Sequence, residues 1–313
     1  MTMGASAGIT PTLDANDLIK TVPGLAEVAS LEARSPLKLP SSSLSLSHVV
    51  AAATDIRSAF ADGVDGVVVI QGTDTIEETA FALDLLVDDE RPVVVTGAMR
   101  GPQAPGAEGP ANLLAAAIVA ASREARGLGT LVVLNDEIHA ARLVRKAHTA
   151  LPSAFASDNG GRLGLIAEGL VRLFTRATPF ALPALRSMEG EFPPVALIKV
   201  AMGDDGRLLR ATPQLGFQGL VIEGMGAGHV PASIADLIGE LAAMLPVVLT
   251  SRTLAGPVFT RTYGYAGSEI DLIRRGVLTS GHLTAVKARL LLMVALKAGW
   301  SREAIAGAFK IFD

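Results

Sequence analysis

The strongest constraint on this chain is a unit that recurs along it: a short, wholly apolar β-branched run, a polar glycine-containing turn, then a stretch with helical spacing. Residues 66–70 read GVVVI and lead into Gln71-Gly72-Thr73-Asp74. From residue 76 to 87 the apolar positions fall at helical intervals. Glu77 and Glu78 stand in the first turn of that stretch, where the helix dipole favours carboxylates. The unit returns with a strand at 92–95, a loop at 96–109, an Ala-rich helix at 110–126 with proline near its start, and a strand at 130–134. Runs that are apolar at every position suit strands buried on both faces. Alternating with helices, they predict a parallel sheet covered on both sides.

Between 176 and 194 (RATPFALPALRSMEGEFPP) the texture changes to a proline-rich stretch with few periodic positions, which reads as a linker. Beyond it the alternation resumes, with strands at 197–200, 219–222 and 247–250 and helices at 232–244 and 284–298. The expectation is two α/β domains, 1–175 and 195–313, joined by the linker 176–194, with no sequence repeat between them. Half of the 313 residues are hydrophobic and 19% are charged, enough to fill two cores. A net charge of −4 and the lack of a basic stripe argue against nucleic acid as a partner. There is no cysteine, which removes disulfides and thiolate chemistry together. The histidines His48, His139, His148, His229 and His282 form no short metal-binding pattern, so no metal is expected. No G-x-S-x-G elbow and no phosphate-loop lysine occurs. Residues 224–228 (GMGAG) approach a dinucleotide-binding pattern but lack its third glycine, and read as a strand-to-loop turn. The N-terminus carries no basic patch followed by an apolar run, and no apolar stretch reaches bilayer length. The chain therefore reads as a soluble, cytoplasmic protein with no membrane partner.

In open parallel sheets ligands bind beyond the carboxyl ends of the strands. The most polar such turn is Gly72-Thr73-Asp74-Thr75, between a buried strand and a helix N-terminus. Gly72 lets backbone approach a ligand closely, and the helix start offers unpaired N–H groups. Thr75 and Glu78 have the spacing of a capping box, which leaves Thr73 and Asp74 without a structural explanation. Lys146 lies twelve residues past Leu134, in the run RLVRK. As a lone loop lysine it reads as solvated. A functional role requires it to be buried beside Thr73, where desolvation favours the neutral amine that can act as a base.

Four segments carry a resemblance. Residues 67–86 (VVVIQGTDTIEETAFALDLL), 92–117 (PVVVTGAMRGPQAPGAEGPANLLAAA), 133–149 (VLNDEIHAARLVRKAHT) and 276–296 (GVLTSGHLTAVKARLLLMVAL) are similar to signature segments of the bacterial-type L-asparaginase family, and the similarity runs over roughly residues 8–313. The resemblance implies a larger N-terminal parallel-sheet domain and a smaller C-terminal flavodoxin-like α/β domain. It implies hydrolysis of L-asparagine, and more weakly of L-glutamine, to the acid and ammonia without metal or cofactor. It also implies a homotetramer built as a dimer of dimers. In family members a threonine in a T-G-G-T-I-A motif attacks the side-chain amide, and a second threonine, paired with a lysine and an aspartate, forms the other half of the site. By motif position the second set maps onto Thr73, Asp74 and Lys146, with Asp74 also holding the substrate's α-amino group. The substrate-holding serine falls in residues 40–44 (PSSSL), at Ser41 or, one residue on, Ser42. A neighbouring subunit contributes an acidic residue, mapping onto Glu269, which without the family reads as a solvated charge. His229 occupies the position of the family's asparagine in its G-x-G-N segment.

The chain departs from the pattern at its N-terminus. It contains no T-G-G-T-I-A motif. The resemblance places Met1 just after that motif, so the first strand and its threonine are expected upstream and the chain as written is expected to be impaired. Gly8 stands nearest the family's mobile-loop tyrosine, and neither Thr2 nor Thr10 follows a strand in a glycine turn. Two other classes are weighed against the amidohydrolase: a non-catalytic homologue that binds an amino acid, and an amidase subunit acting on charged tRNA, against which the lack of a basic surface counts.

Overall fold

The apolar runs form strands, and in the computed structural model of the chain they build two separate sheets in two units, Met1–Pro179 and Phe180–Asp313. The structure describes residues 2–4 and 8–10 by backbone alone, and residues 13–178, 180, 182, 183, 185 and 188–313 in full. The side chains of Thr2 and Thr10 lie outside the described residues.

In the first unit β1 (Thr2–Gly4) and β2 (Gly8–Thr10) pair antiparallel as a separate ribbon. The short helices α1 (Ala15–Lys20) and α2 (Leu25–Val28) and the longer α3 (Leu46–Ala61) follow. Then come β3 (Val67–Ile70), α4 (Ile76–Leu86), β4 (Val93–Thr96), α5 (Gly109–Ala121) and β5 (Thr130–Leu134). The unit ends with β6 (Glu137–Ala140), the two-residue strands β7 (Arg145–Lys146) and β8 (Phe155–Ala156), β9 (Gly164–Ala167) and β10 (Leu170–Leu173). The main sheet has the order β10-β9-β6-β5-β4-β3.

That sheet is mixed rather than wholly parallel. Strands β3, β4 and β5 are parallel, joined by helical crossovers, while β5–β6, β6–β9 and β9–β10 are antiparallel. The reason is local. Asn135 and Asp136 both have positive φ, 53° and 58°, and make a two-residue turn that returns the chain beside β5. Glu168 and Gly169, at 55° and 71°, do the same between β9 and β10. Two-residue turns of this hand join antiparallel strands; a parallel pair needs a crossover of a dozen residues or more. Helix α5 is also shorter than the expected 110–126, because Ser122 is extended and its hydroxyl donates to Glu124.

Helices cover the sheet. Val94, Leu131 and Val133 form one cluster with Ala115, Ala116 and Val119 of α5. Helix α4 packs on β4 and β5 and buries Ile76, Phe81 and Leu83 completely. Each such side chain contributes roughly 1.5–3 kcal/mol relative to exposure. This burial fixes the start of α4 at the carboxyl end of β3.

The second unit runs β11 (Val195–Lys199), α6 (Arg207–Ala211), β12 (Gly219–Gly224), α7 (Ala235–Met244), β13 (Val247–Ser251), α8 (Glu269–Arg274), β14 (Leu278–Thr279), α9 (Ala285–Lys297) and α10 (Arg302–Lys310). Its four strands are all parallel and lie in chain order. Leu220, Ile222, Val247 and Leu249 meet Ile234, Ile238 and Leu241 in its core. Among the described residues no helix is long and apolar enough to cross a membrane.

Candidate active site

At the carboxyl end of β3, Gln71 and Gly72 lead into a 3-10 turn, Thr73–Thr75, that continues into α4. A second 3-10 turn, Ser41–Ser43, docks on it. Ser41 Oγ accepts from the backbone N–H of Asp74 at 3.2 Å, and Ser41 O accepts from Thr75 Oγ1 at 3.0 Å. The approach requires Gly72, since a Cβ there would lie 2.8 Å from Ser41 Oγ. Ser41 is buried and Ser42 is exposed, so Ser41 is the serine against the turn. Gln71 Nε2 donates to Thr75 Oγ1 at 3.2 Å and to Gly72 O at 3.3 Å. The capping box expected at Thr75 does not form. Thr75 occupies the N-cap of α4, but its hydroxyl donates to Ser41 rather than capping the helix.

Lys146 comes to this turn from β7. It is not in a loop: Lys146 pairs with Phe155, and Arg145 with Ala156, in a two-residue antiparallel ladder. The Lys146 N–H donates to Glu77 Oε1 of α4 at 3.2 Å, which draws the ladder toward the helix start. Lys146 Nζ then donates to Thr73 Oγ1 and to Asp74 Oδ1, each at 2.9 Å. Thr73 is buried, the Lys146 side chain is 18% exposed and that of Asp74 is 64% exposed. A hydroxyl, an amine and a carboxylate thus touch at one place, the amine shielded and the carboxylate open to solvent.

The neighbouring strand ends are locked to this turn by residues that no spacing in the sequence indicated. Gly97, just past β4, packs so closely that a Cβ would meet Gln71 O at 2.4 Å and Thr73 Cγ2 at 3.4 Å. Asn112, buried in α5, donates to Gly97 O and accepts from the Asn135 N–H, both at 2.9 Å, joining the loops after β4 and β5. Thr96 Oγ1 donates to Val133 O at 2.6 Å. An asparagine on a helix face beside glycine-ended strands is the signal that would have found this lock.

In the second unit Glu269 and His229 lie together. Glu269, at the start of α8, is not a solvated charge but fully buried. Its Oε1 accepts from the N–H groups of Thr262 (2.9 Å) and Tyr263 (2.6 Å), and its Oε2 lies 3.2 Å from His229 Nε2. Burial pushes the carboxyl up, but these N–H groups and the imidazole outweigh it and hold it below the usual carboxylate range. His229 Nδ1 faces Tyr265 Oη at 3.0 Å, and the Tyr263 and Tyr265 rings flank the imidazole at centroid distances of 4.9 and 5.5 Å. The glycines at 226 and 228, with φ of 52° and 107°, turn the chain after β12 so that His229 pairs back on Met225. The GMGAG run is therefore a tight turn that places His229. Neither tyrosine was singled out in the sequence.

Among the described residues no three His, Cys, Asp or Glu side chains gather as a metal site. The arrangement in the first unit has the parts of an activated nucleophile: a hydroxyl, an amine in hydrogen-bond contact with it, and a carboxylate that orients the amine.

Residues 1–179 match the model of the asparaginase N-terminal domain, and residues 194–309 that of the glutaminase/asparaginase C-terminal domain. The chain is 41% identical over 295 residues to a probable L-asparaginase of Deinococcus radiodurans, covering 92% of this chain and 88% of that protein. To an L-asparaginase of Bacillus licheniformis it is 36% identical over 282 residues, covering 88% and 86%. The fold is similar to the crystal structure of a probable cytoplasmic L-asparaginase from Campylobacter jejuni, with a TM-score of 0.86, 34% identity, and 95% of this chain and 94% of that chain covered. With both domains matched in order across nearly the whole sequence, the chain belongs to the asparaginase family.

Proposed function

We propose that the chain hydrolyses the side-chain amide of free L-asparagine to L-aspartate and ammonia, with L-glutamine a weaker substrate. The observation that carries the chemistry is the position of Lys146 Nζ, 2.9 Å from both Thr73 Oγ1 and Asp74 Oδ1. This sequence holds no T-G-G-T-I-A threonine, so Thr73 is the attacking hydroxyl in this reading and slow turnover is expected: in its neutral form the amine accepts the Thr73 proton, and the resulting oxygen attacks the amide carbonyl. The proton then passes from Lys146 to the leaving nitrogen, the C–N bond breaks, and ammonia departs. Water, deprotonated by the same amine, cleaves the acyl–Thr73 ester and returns the hydroxyl.

The rest of the turn suits a free amino acid. One Asp74 oxygen holds Lys146; the other, open to solvent, is a partner for an α-ammonium. The Ser41 hydroxyl, whose oxygen already accepts from Asp74, retains a proton to offer an α-carboxylate. Gly72 keeps that approach free of a side chain. Glu269 and His229 of a neighbouring copy complete the site in a cytoplasmic homotetramer. Ammonia release on asparagine and on glutamine tests the reading, with asparagine the faster. Failure of the chain to release ammonia from saturating asparagine overturns it. Sedimentation at micromolar concentration tests the tetramer.

A further inference from the structure

The ladder that carries Lys146 is only two residues long on each side. Two-stranded ribbons of that length do not hold themselves in water, so its position is set by what ties it down. Besides backbone bonds such as Ala147 N–H to Ala154 O and Val144 N–H to Ala140 O, side chains make three ties among the described residues, apart from the Lys146 amine itself. Glu77 holds the Lys146 N–H from α4. Arg145 Nε donates to Asp158 Oδ2 at 2.5 Å, across the ribbon. The third reaches the sheet: Ser157, the residue after β8, has its Oγ 3.0 Å from Nδ1 of His139 on β6.

His139 and Ser157 are both buried, and His139 lies opposite Val132 in the register of β6 with β5. On the other side of the ring, Nε2 is 3.3 Å from Glu137 Oε2 without hydrogen-bond alignment, and Glu137 Oε1 is engaged by Arg162. Those are the charged groups facing the imidazole: Glu137 on its own strand and Arg162 from the segment before β9. A neutral ring with the proton on Nε2 points it toward Glu137 and leaves Nδ1 to accept from the Ser157 hydroxyl. Of these three side-chain ties, this one joins the second strand of the ribbon to the six-stranded sheet.

We propose that His139 is a positioning residue for Lys146: through Ser157 it anchors the β7–β8 ribbon to β6 and so holds the amine against Thr73 and Asp74. The consequence for turnover rests on the asparaginase reading above; the consequence for the ribbon does not. Loss of the anchor loosens residues 143–158 while the sheet and α4 stay closed, and the amine spends less time at Thr73.

Hydrogen exchange read by mass spectrometry on the full chain tests this without substrate. In His139→Leu and in Ser157→Ala, peptides covering 143–158 exchange at least tenfold faster than in the parent, and peptides covering β3, β4 and α4 do not change. His139→Asn, whose amide can replace Nδ1 toward Ser157, restores slow exchange. Adding Ser157→Ala to His139→Leu produces no further acceleration, since both break one contact. In ammonia release, both single variants lower kcat by roughly 10- to 100-fold and leave KM within about twofold. Unchanged exchange in 143–158, or acceleration spread equally over the sheet, overturns the proposal, and so does additivity of the two changes. Should the leucine variant not fold, Ser157→Ala carries the same comparison. Absence of turnover in the parent alone would count against the enzymatic reading and leave the exchange result to decide this one.

Discussion

Lys146 makes its two side-chain contacts through one amine, so one substitution removes both. Lys146→Met keeps the length of the chain and removes the amine, so kcat for ammonia release is expected to fall by about 10²–10⁴-fold, as for other lost general bases, while the melting temperature stays close to that of the parent. Gly72→Ala acts by contact alone. Its φ of −64° and ψ of 151° suit alanine, but the new Cβ meets Ser41 Oγ at 2.8 Å and Ser41 Cβ at 3.2 Å. Overpacking of this kind costs about 1–3 kcal/mol; KM should rise more than kcat falls, read from the same assay. At this scale the sequence was legible where residues were contiguous. Thr73 and Asp74 stand out because a buried strand, a glycine and a helix start surround them. Lys146 is 73 residues from Thr73, and only the resemblance pointed to it. Glu269 shows the limit: a single acidic residue does not reveal that backbone N–H groups and an imidazole wait for it inside the fold.

The elements around the site depend on buried polar links. Asn112 satisfies Gly97 O and the Asn135 N–H together, so Asn112→Leu leaves both groups without that partner. At about 1–3 kcal/mol for a buried group left unsatisfied, and roughly 2–4 °C per kcal/mol for a unit of this size, thermal denaturation should show a clear drop. His139 gives β6 a pH dependence. Burial lowers its pKa below the ordinary 6.5, with Arg162 adding to that and Glu137 opposing it. The unfolded chain therefore takes up this proton before the folded one does. The stability from the neutral ring is complete above 6.5 and is lost as pH falls through the folded value. Urea midpoints measured on descending pH should fall in the parent and fall less in His139→Asn. The strand-helix units were legible because their period is plain. The antiparallel half of the sheet was not, because Asn135-Asp136 and Glu168-Gly169 set strand direction through backbone φ rather than through hydrophobic pattern.

At the scale of the whole molecule, each unit contains a hydrophobic cluster, in the second between helices and a four-stranded parallel sheet. A fragment of residues 180–313 is expected to unfold cooperatively on heating, checked by calorimetry; a broad, heatless transition would contradict this. Among the described residues of the first unit β3 is last in its sheet, paired on one side with β4, and its sequence is VVVI with Ile70 39% exposed. The outer row of peptide groups on that strand is a ready template for another extended segment, and it carries no charge, proline or bulge to discourage one. Preparations of this chain should accordingly become turbid as concentration rises, and Ile70→Lys should keep them clear.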